Sequence, residues 1–186
     1  MTSKIVVACP RSGTKYVSQL WNLHHEKDLG EEADDMDGFC SWTLASTTES
    51  DERLLIEPYL ISNFKEVVAR YPNHEIIHQV RNPLDCIQSM TTIVQRYIWE
   101  FIQRNSEVVL TNSIINNCMQ FWYYWNLQCQ ELTDKIQRLE DLPVDKKLDM
   151  NKRNHIILKW EDLEKEDKEL CLKIKNMSER YGYELV

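Results

Sequence analysis

The sequence predicts an α/β fold, in which helices flank a mainly parallel central sheet in three layers. Short runs rich in β-branched residues alternate along the chain with segments of helical periodicity. The length of 186 residues is enough for one sizeable core. Only four glycines and five prolines are present, which leaves little sequence for long linkers. We therefore expect a single domain over residues 1–186.

Three short apolar runs are predicted to be strands. They are Lys4–Cys9 (KIVVAC), Glu75–Val80 (EIIHQV) and His155–Trp160 (HIILKW). A segment of helical pattern follows each run, which is the order expected of parallel strands joined by helical crossovers. Ligands of such sheets bind beyond the carboxyl ends of the strands. The turns after the strands are therefore the first place to expect functional residues.

Apolar residues at helical spacing and the positions of proline predict the helices. The longest is expected from Asn112 to about Lys135. The others are expected from Ser12 or Gly13 to about Leu23, from Leu60 to Tyr71, from Pro83 toward Arg104, and from the third strand to about Tyr181. The polar stretches Glu26–Asp37 and Leu142–Asn154 are expected to be loops.

Charge and composition argue against several classes of function. The formal net charge is −8, from 22 basic and 30 acidic side chains, so we expect no nucleic-acid partner. No apolar run approaches the ~20 residues that a membrane span needs. The first residues lead into a strand without the pattern of a signal peptide, and the six cysteines include no CxxC pair. These features favour a cytoplasmic protein with reduced thiols.

The first candidate site is the turn Cys9–Lys15 (CPRSGTK), between the first strand and the first helix. Successive backbone amides in such a turn, together with a helix N-terminus, form an anion site. Gly13 permits close approach to a ligand, and Arg11 and Lys15 add positive charge. The turn is not a GxxxxGK[ST] loop, because Thr14-Lys15 reverses the last pair of that pattern. The alternative interpretation is a tight strand-to-helix turn with incidental charges.

The second candidate site is the segment Arg81–Ser89 (RNPLDCIQS), which follows the second predicted strand. Arg81 in the turn and Ser89 two helical turns after Pro83 are placed to meet at one phosphate. The arginine supplies a charged fork and the serine a short hydroxyl. The alternative interpretation is a simple turn in which Arg81 pairs with Asp85.

Together the two motifs resemble the P-loop sulfotransferases, which use 3′-phosphoadenosine 5′-phosphosulfate (PAPS). Pro10–Thr14 reads PRSGT, similar to the loop that binds the 5′-phosphosulfate in that family. Arg81 and Ser89 are eight residues apart, like the arginine and serine that bind the 3′-phosphate there. The resemblance implies a three-layer P-loop NTPase-like fold and a PAPS-dependent transferase. The residues that it assigns to donor binding are Arg11, Ser12, Gly13, Thr14, Lys15, Arg81 and Ser89.

Further stretches resemble a branch of small sulfotransferase-like proteins. Leu29–Glu32 with Asp37–Trp42 is similar to the GHE…DGxxSW pattern of that branch. Trp122–Asn126 is similar to its W-x-x-W-N helix, and Lys159–Leu163 to its strand-ending EDL. The chain departs from the family in Glu31, which replaces the histidine of GHE, and in having no Arg-Lys-Gly segment like that which helps hold the 3′-phosphate in cytosolic members.

The resemblance also implies a mechanism. Sulfuryl transfer needs an acceptor oxygen in line with the leaving phosphate and stabilisation of the leaving oxygens. Arg11 is the candidate for that stabilisation. Glu32, which matches the glutamate of GHE, is the candidate general base, with Glu31 and Asp35 as rivals. A sulfuryl group carries less charge than a phosphoryl group, so no metal is expected to be required. The acceptor is expected to be a hydroxyl or amine of a small molecule, lipid or carbohydrate.

Two functions from other classes stay open. One is a P-loop kinase acting on a nucleotide or metabolite, and the other is a non-catalytic nucleotide-binding protein on the same fold. His24-His25-Glu26 has the residue types of a metal site, but we interpret it as surface because adjacent side chains point apart on a helix. Tyr16 is expected either to stack on an adenine or to pack against the protein.

Overall fold

The computed structural model describes residues 2–25, 37–45, 64–71, 73–93, 95–144 and 157–185. In these residues five parallel strands form one sheet with helices on its faces, which confirms the predicted α/β class. The strands are β1 Lys4–Ala8, β2 His24–His25, β3 Gly38–Ser41, β4 Glu75–Val80 and β5 Ile136–Arg138. The helices are α1 Thr14–Leu20, α2 Phe64–Arg70, α3 Pro83–Met90, α4 Arg96–Asn105, α5 Ile114–Leu132, α6 Trp160–Glu166 and α7 Lys168–Arg180.

The strand order is β2-β3-β1-β4-β5, and every pairing is parallel. The chain that leaves β1 runs toward β2 at one edge of the sheet, whereas the chain that leaves β4 runs toward β5 at the other edge. Because β1 and β4 are neighbours, the crevice between their carboxyl ends is a topological switch point. This is where open α/β sheets generally bind their ligands.

The two faces of the sheet are covered by different helices. Right-handed crossovers that run in opposite directions lie on opposite faces. On one face, Val17 of α1 packs in a cluster with Val6 of β1. On the other face, Ile5 of β1 belongs to the large cluster that contains Trp122 and Trp125 of α5. The arrangement is compatible with three layers, with α1 and α5 on either side of the sheet.

Helix α5 is fastened to the sheet by a buried polar pair. The Asn126 side chain donates to the Trp122 carbonyl at 2.7 Å, so its oxygen faces His78 of β4 and accepts from Nε2 at 2.9 Å. Burial lowers the pKa of His78 to about 4, and the ring is therefore neutral near pH 7. Trp125 donates its indole N–H to the Trp42 carbonyl at 2.9 Å. The W-x-x-W-N pattern thus has a structural explanation.

The predicted strand His155–Trp160 is wrong where the structure describes it. Residues 157–159 are not assigned to a strand, and α6 begins at Trp160. The amide of Leu158 donates to the Gln88 side chain at 3.2 Å instead of to a neighbouring strand. Residues 157–159 are therefore a linker into α6 and add no strand to the sheet. The rest of the predicted strand, 155–156, lies outside the described residues.

Strands β2, β3 and β5 were not expected from the sequence pattern. β5 reads IQR and is only partly buried, so it has no apolar signal, yet its backbone pairs with residues His78–Val80 of β4. The helix expected from Pro83 toward Arg104 is interrupted, since α3 ends at Met90 and α4 begins at Arg96. The long helix near Asn112–Lys135 is confirmed as α5.

Candidate functional site

The turn after β1 has an unusual backbone. Arg11 has φ 66° and Gly13 has φ 87°, so both lie in the left-handed region. Side chains rarely allow this conformation, which makes Arg11 a strained residue. The amide of Ser12, between them, donates to the Cys9 carbonyl at 3.3 Å. Turns that mix left-handed with right-handed residues direct successive amides into a shared concavity, which suits an anion.

Helix α1 begins directly from this turn without a side-chain cap. Gly13 is its N-cap residue and has no side chain to offer. The first amides of a helix have no partner within the helix, and the helix dipole adds partial positive charge there. The N-terminal end of α1 therefore adds uncapped backbone amides next to the turn. Lys15 is exposed and Arg11 is half-buried beside it.

The hydroxyl groups of the turn contact protein groups. Ser12 is 1% exposed, and its Oγ lies 3.7 Å from Cys86 Sγ inside the protein. Cys86 in turn donates to the Pro10 carbonyl at 3.1 Å, which ties α3 to the turn. Burial raises the pKa of the neighbouring Cys9 thiol, which is thus neutral. The Ser12 side chain is therefore part of the support beneath the turn.

The turn after β4 contacts the turn after β1. Arg81 Nη1 donates to the Arg11 carbonyl at 3.2 Å, and its Nη2 lies 3.9 Å from the Asp85 carboxylate. Arg81 thus contacts the first turn and also makes the pairing with Asp85 that was the alternative interpretation. About a third of the Arg81 side chain stays exposed, at 29%. Ser89 lies further along α3 and is 7% exposed.

Helix α3, unlike α1, carries its own cap. The Asn82 side-chain oxygen accepts from the amides of Leu84 at 3.0 Å and Asp85 at 3.3 Å. Pro83 occupies the first position of the helix, where an amide proton is not needed. The amides at this helix end are therefore used by the protein. Arg81 is the group through which this turn can contact an anion.

Residues 139–143, here called the covering segment, follow β5 and touch both turns. A Cβ built on Gly13 would lie 2.7 Å from Leu139 Cδ1, so the leucine side chain rests against the glycine. Glu140 accepts the Asn82 amide at 2.9 Å, and the Tyr16 hydroxyl donates to the Pro143 carbonyl. Sequence reasoning missed this segment, because no motif or periodicity marks it.

The interpretation of His24 and His25 as surface residues of a helix is wrong. Both form strand β2, and His24 is 1% exposed. His25 Nε2 lies 3.1 Å from Thr14 Oγ1, so the second strand brings a titratable ring to the turn after β1. Leu23, the apolar residue directly before the pair, is also buried.

The DGxxSW stretch is explained by packing. Gly38 has φ 146°, and a Cβ there would lie 1.9 Å from the Lys4 carbonyl, so only glycine permits the pairing of β3 with β1. The Ser41 and Thr43 hydroxyls are hydrogen-bonded at 2.8 Å, and Trp42 is 7% exposed. The candidate base Glu32 and its rivals Glu31 and Asp35 lie outside the described residues.

Within the described ranges, no group of three or more histidine, cysteine or acidic side chains is placed to hold a metal ion. The helices in the same ranges include none with the length and apolarity to cross a membrane. A shallow depression of about 250 Å³ lies at the amino end of β5, the end of the strand opposite to the covering segment. It is lined by Gln130, Thr133, Asp134, Ile136, Arg180 and Tyr181.

Comparison with known proteins assigns the chain to no family. No family model matches it, and no significant match exists among curated proteins or solved structures. Its function is therefore argued from the residues of this site.

Proposed function

We propose that the chain is a sulfotransferase, which moves a sulfuryl group from PAPS to a hydroxyl or amine acceptor. The observation that carries the proposal is the hydrogen bond from Arg81 to the Arg11 carbonyl, which joins the two motif turns at the switch point of the sheet. A nucleotide with anions at both its 3′ and 5′ positions needs two separate anion sites in one crevice. The two turns are suited to supply them.

The turn after β1 suits the 5′ end of the donor. Left-handed residues and an uncapped helix start are typical of anion sites lined by backbone amides, and Arg11 adds a full positive charge. Leu139 occupies the side of Gly13 where a Cβ would be, so a ligand approaches from the amide side. The turn after β4 suits the 3′-phosphate through the Arg81 guanidinium.

The transfer step in this proposal is an in-line displacement. The acceptor oxygen bonds to sulfur while the bond from sulfur to the 5′-phosphate oxygen breaks, and the electron pair leaves with the phosphate. Arg11 and the amides of the turn stabilise the charge on those oxygens. The acceptor proton goes to a general base.

The base is either a carboxylate or a histidine. Glu32, with Glu31 and Asp35 as rivals, follows from the family resemblance. His25 is favoured by geometry, since its Nε2 lies 3.1 Å from the Thr14 hydroxyl at the start of α1. Glutamine at position 25 keeps a hydrogen-bonding side chain but cannot accept the proton. Transfer of labelled sulfate by the His25→Gln variant therefore distinguishes the two: a large loss assigns the base to His25, and an unchanged rate excludes it.

Thermal unfolding in the presence of four ligands tests the proposal. They are 3′,5′-ADP, 5′-AMP, ATP and ATP with magnesium. A ligand at 100 times its Kd stabilises the native state by about 2.7 kcal/mol, and we expect the largest shift with 3′,5′-ADP. Stabilisation by ATP with magnesium and none by 3′,5′-ADP would favour a kinase instead. Donor binding without any transfer of labelled sulfate would identify a non-catalytic nucleotide-binding protein.

A further inference from the structure

Glu140 of the covering segment connects two distant parts of the chain. One carboxylate oxygen accepts the backbone amide of Asn82 at 2.9 Å, directly beside Arg81. The other accepts the hydroxyl of Tyr183 at 2.7 Å. Tyr183 follows α7 and lies 43 positions after Glu140. The Glu140 side chain therefore joins the segment after α7 to the turn after β4.

The segment after α7 is bound by Arg138 as well as by Glu140. Arg138, the last residue of β5, donates to the Gly182 carbonyl at 2.6 Å, and its guanidinium lies 4.8 Å from the centre of the Tyr183 ring. Tyr183 is 7% exposed. Burial and the Glu140 carboxylate raise the pKa of Tyr183, so its hydroxyl keeps the proton that it donates.

We propose that the Tyr183–Glu140 pair positions the Arg81 turn and thereby strengthens binding at the 3′-phosphate end of the nucleotide site. The inference rests on the proposed function. Glu140 and Tyr183 are positioning residues, because neither needs to touch the ligand. They act by fixing the backbone of Asn82 and, through it, the direction of the Arg81 side chain.

Glu140 can affect the affinity for the ligand in two ways, by its negative charge and by its hydrogen bonds. A carboxylate close to a phosphate site repels the ligand, so its removal alone should tighten binding. Loss of its hydrogen bonds to Asn82 and Tyr183 should weaken binding of the ligand. The two effects have opposite signs, and the sign of the change in affinity decides between them.

Two substitutions of Glu140 make this test, with 3′,5′-ADP and 5′-AMP as the titrated ligands. Glu140→Gln removes the charge but retains an oxygen for the Asn82 amide and an amide group for the Tyr183 hydroxyl, so we expect equal or tighter binding of 3′,5′-ADP. Glu140→Ala removes the contacts as well, and we expect binding weaker by about fivefold or more. Tighter binding by Glu140→Ala would overturn the inference.

Tyr183→Phe is the milder variant and has a matched control two residues away. It deletes only the hydroxyl, and we expect it to weaken 3′,5′-ADP by about fivefold while leaving 5′-AMP within about twofold. Tyr181 is also buried, and its hydroxyl accepts from Gln130 at 2.9 Å, without contact to the covering segment. Tyr181→Phe should therefore leave the ratio of the two affinities unchanged.

Coupling between two sites is reciprocal, which gives a measurement on the unsubstituted protein. The amides of Gly182 and Tyr183 donate to the Glu179 and Ser178 carbonyls at 2.9 and 3.0 Å. Saturating 3′,5′-ADP should slow their hydrogen exchange by about fivefold, whereas 5′-AMP should not.

The outcomes separate this inference from the function on which it rests. If the unsubstituted chain binds no 3′,5′-ADP, the proposed function fails and the inference fails with it. If the chain binds 3′,5′-ADP but Tyr183→Phe leaves its affinity and its ratio to 5′-AMP unchanged, the inference alone is overturned.

Discussion

The turns after β1 and β4 occupy equivalent places at neighbouring strands but are built in different ways. After β1, the backbone is strained at Arg11, and α1 starts at a glycine without a side-chain cap. After β4, Asn82 caps α3 with its own side chain, and Pro83 fills the first helical position. The helix after the first turn has no side-chain cap, whereas the second turn uses its amides internally and presents a partly exposed guanidinium.

In the proposed function, this difference allows one crevice to bind two phosphates through separate groups. Backbone amides bind any compact anion that fits the concavity, and their cost is a strained loop. A single arginine on a relaxed, capped turn binds by charge and a forked geometry, and its side chain can be replaced without removing the cap of its own helix.

Substitution of Gly13 should have the largest effect on folding. An alanine there has to adopt φ 87° and meets Leu139 Cδ1 at 2.7 Å. Strain and crowding together should lower the free energy of unfolding by about 2 to 4 kcal/mol. Urea denaturation measures this, and adding Leu139→Ala should relieve the crowding part only. A loss below about 0.5 kcal/mol for Gly13→Ala would show that the turn is not strained as described.

Arg81→Ala should separate the two ends of the ligand. Loss of a charge-assisted contact should weaken 3′,5′-ADP by about tenfold to a hundredfold, with 5′-AMP changed little. Arg11→Ala, in the other turn, should weaken both ligands. Calorimetric titration of the two variants measures the four affinities. Equal losses of both ligands in Arg81→Ala would mean that Arg81 does not contact the 3′-phosphate.

Asn82→Ala should have the smallest of these effects. It removes the acceptor for the Leu84 and Asp85 amides, and loss of such a cap costs about 1 kcal/mol. Asn82→Asp keeps an acceptor oxygen and should retain most of the stability. Thermal unfolding compares the two variants. An alanine variant as stable as the aspartate variant would remove the contrast between the two helix ends.

The sequence predicted the two strands that carry the turns and much of the helical structure. β4 has the expected bounds, and β1 ends one residue early, at Ala8. These runs combine β-branched residues with a proline or turn stop, so local pattern and final structure agree. The same patterns gave a wrong prediction at His155–Trp160, where the described residues lead into a helix. They also gave a wrong prediction at His24-His25, which form a short strand and not surface positions of a helix.

Some features of the site had no local signal. The Ser12 hydroxyl faces Cys86, and the hydroxyl of Thr14 meets His25, because packing between elements decides where side chains of the turn point. Glu140 and Tyr183 lie in no motif, and only their contact with each other and with Asn82 gives them a role. Contacts of this kind depend on residues far apart along the chain.

Two β-branched runs that end in charged turns and enter helices can be recognised from a few neighbouring residues, because backbone preference and burial period are local properties. Three features came only from the folded chain: these two strands are neighbours, the weak segment Ile136–Arg138 is the edge strand of the sheet, and residues 139–143 contact both turns. Strand order and side-chain contacts are set by the packing of the whole core, which no short stretch of residues encodes.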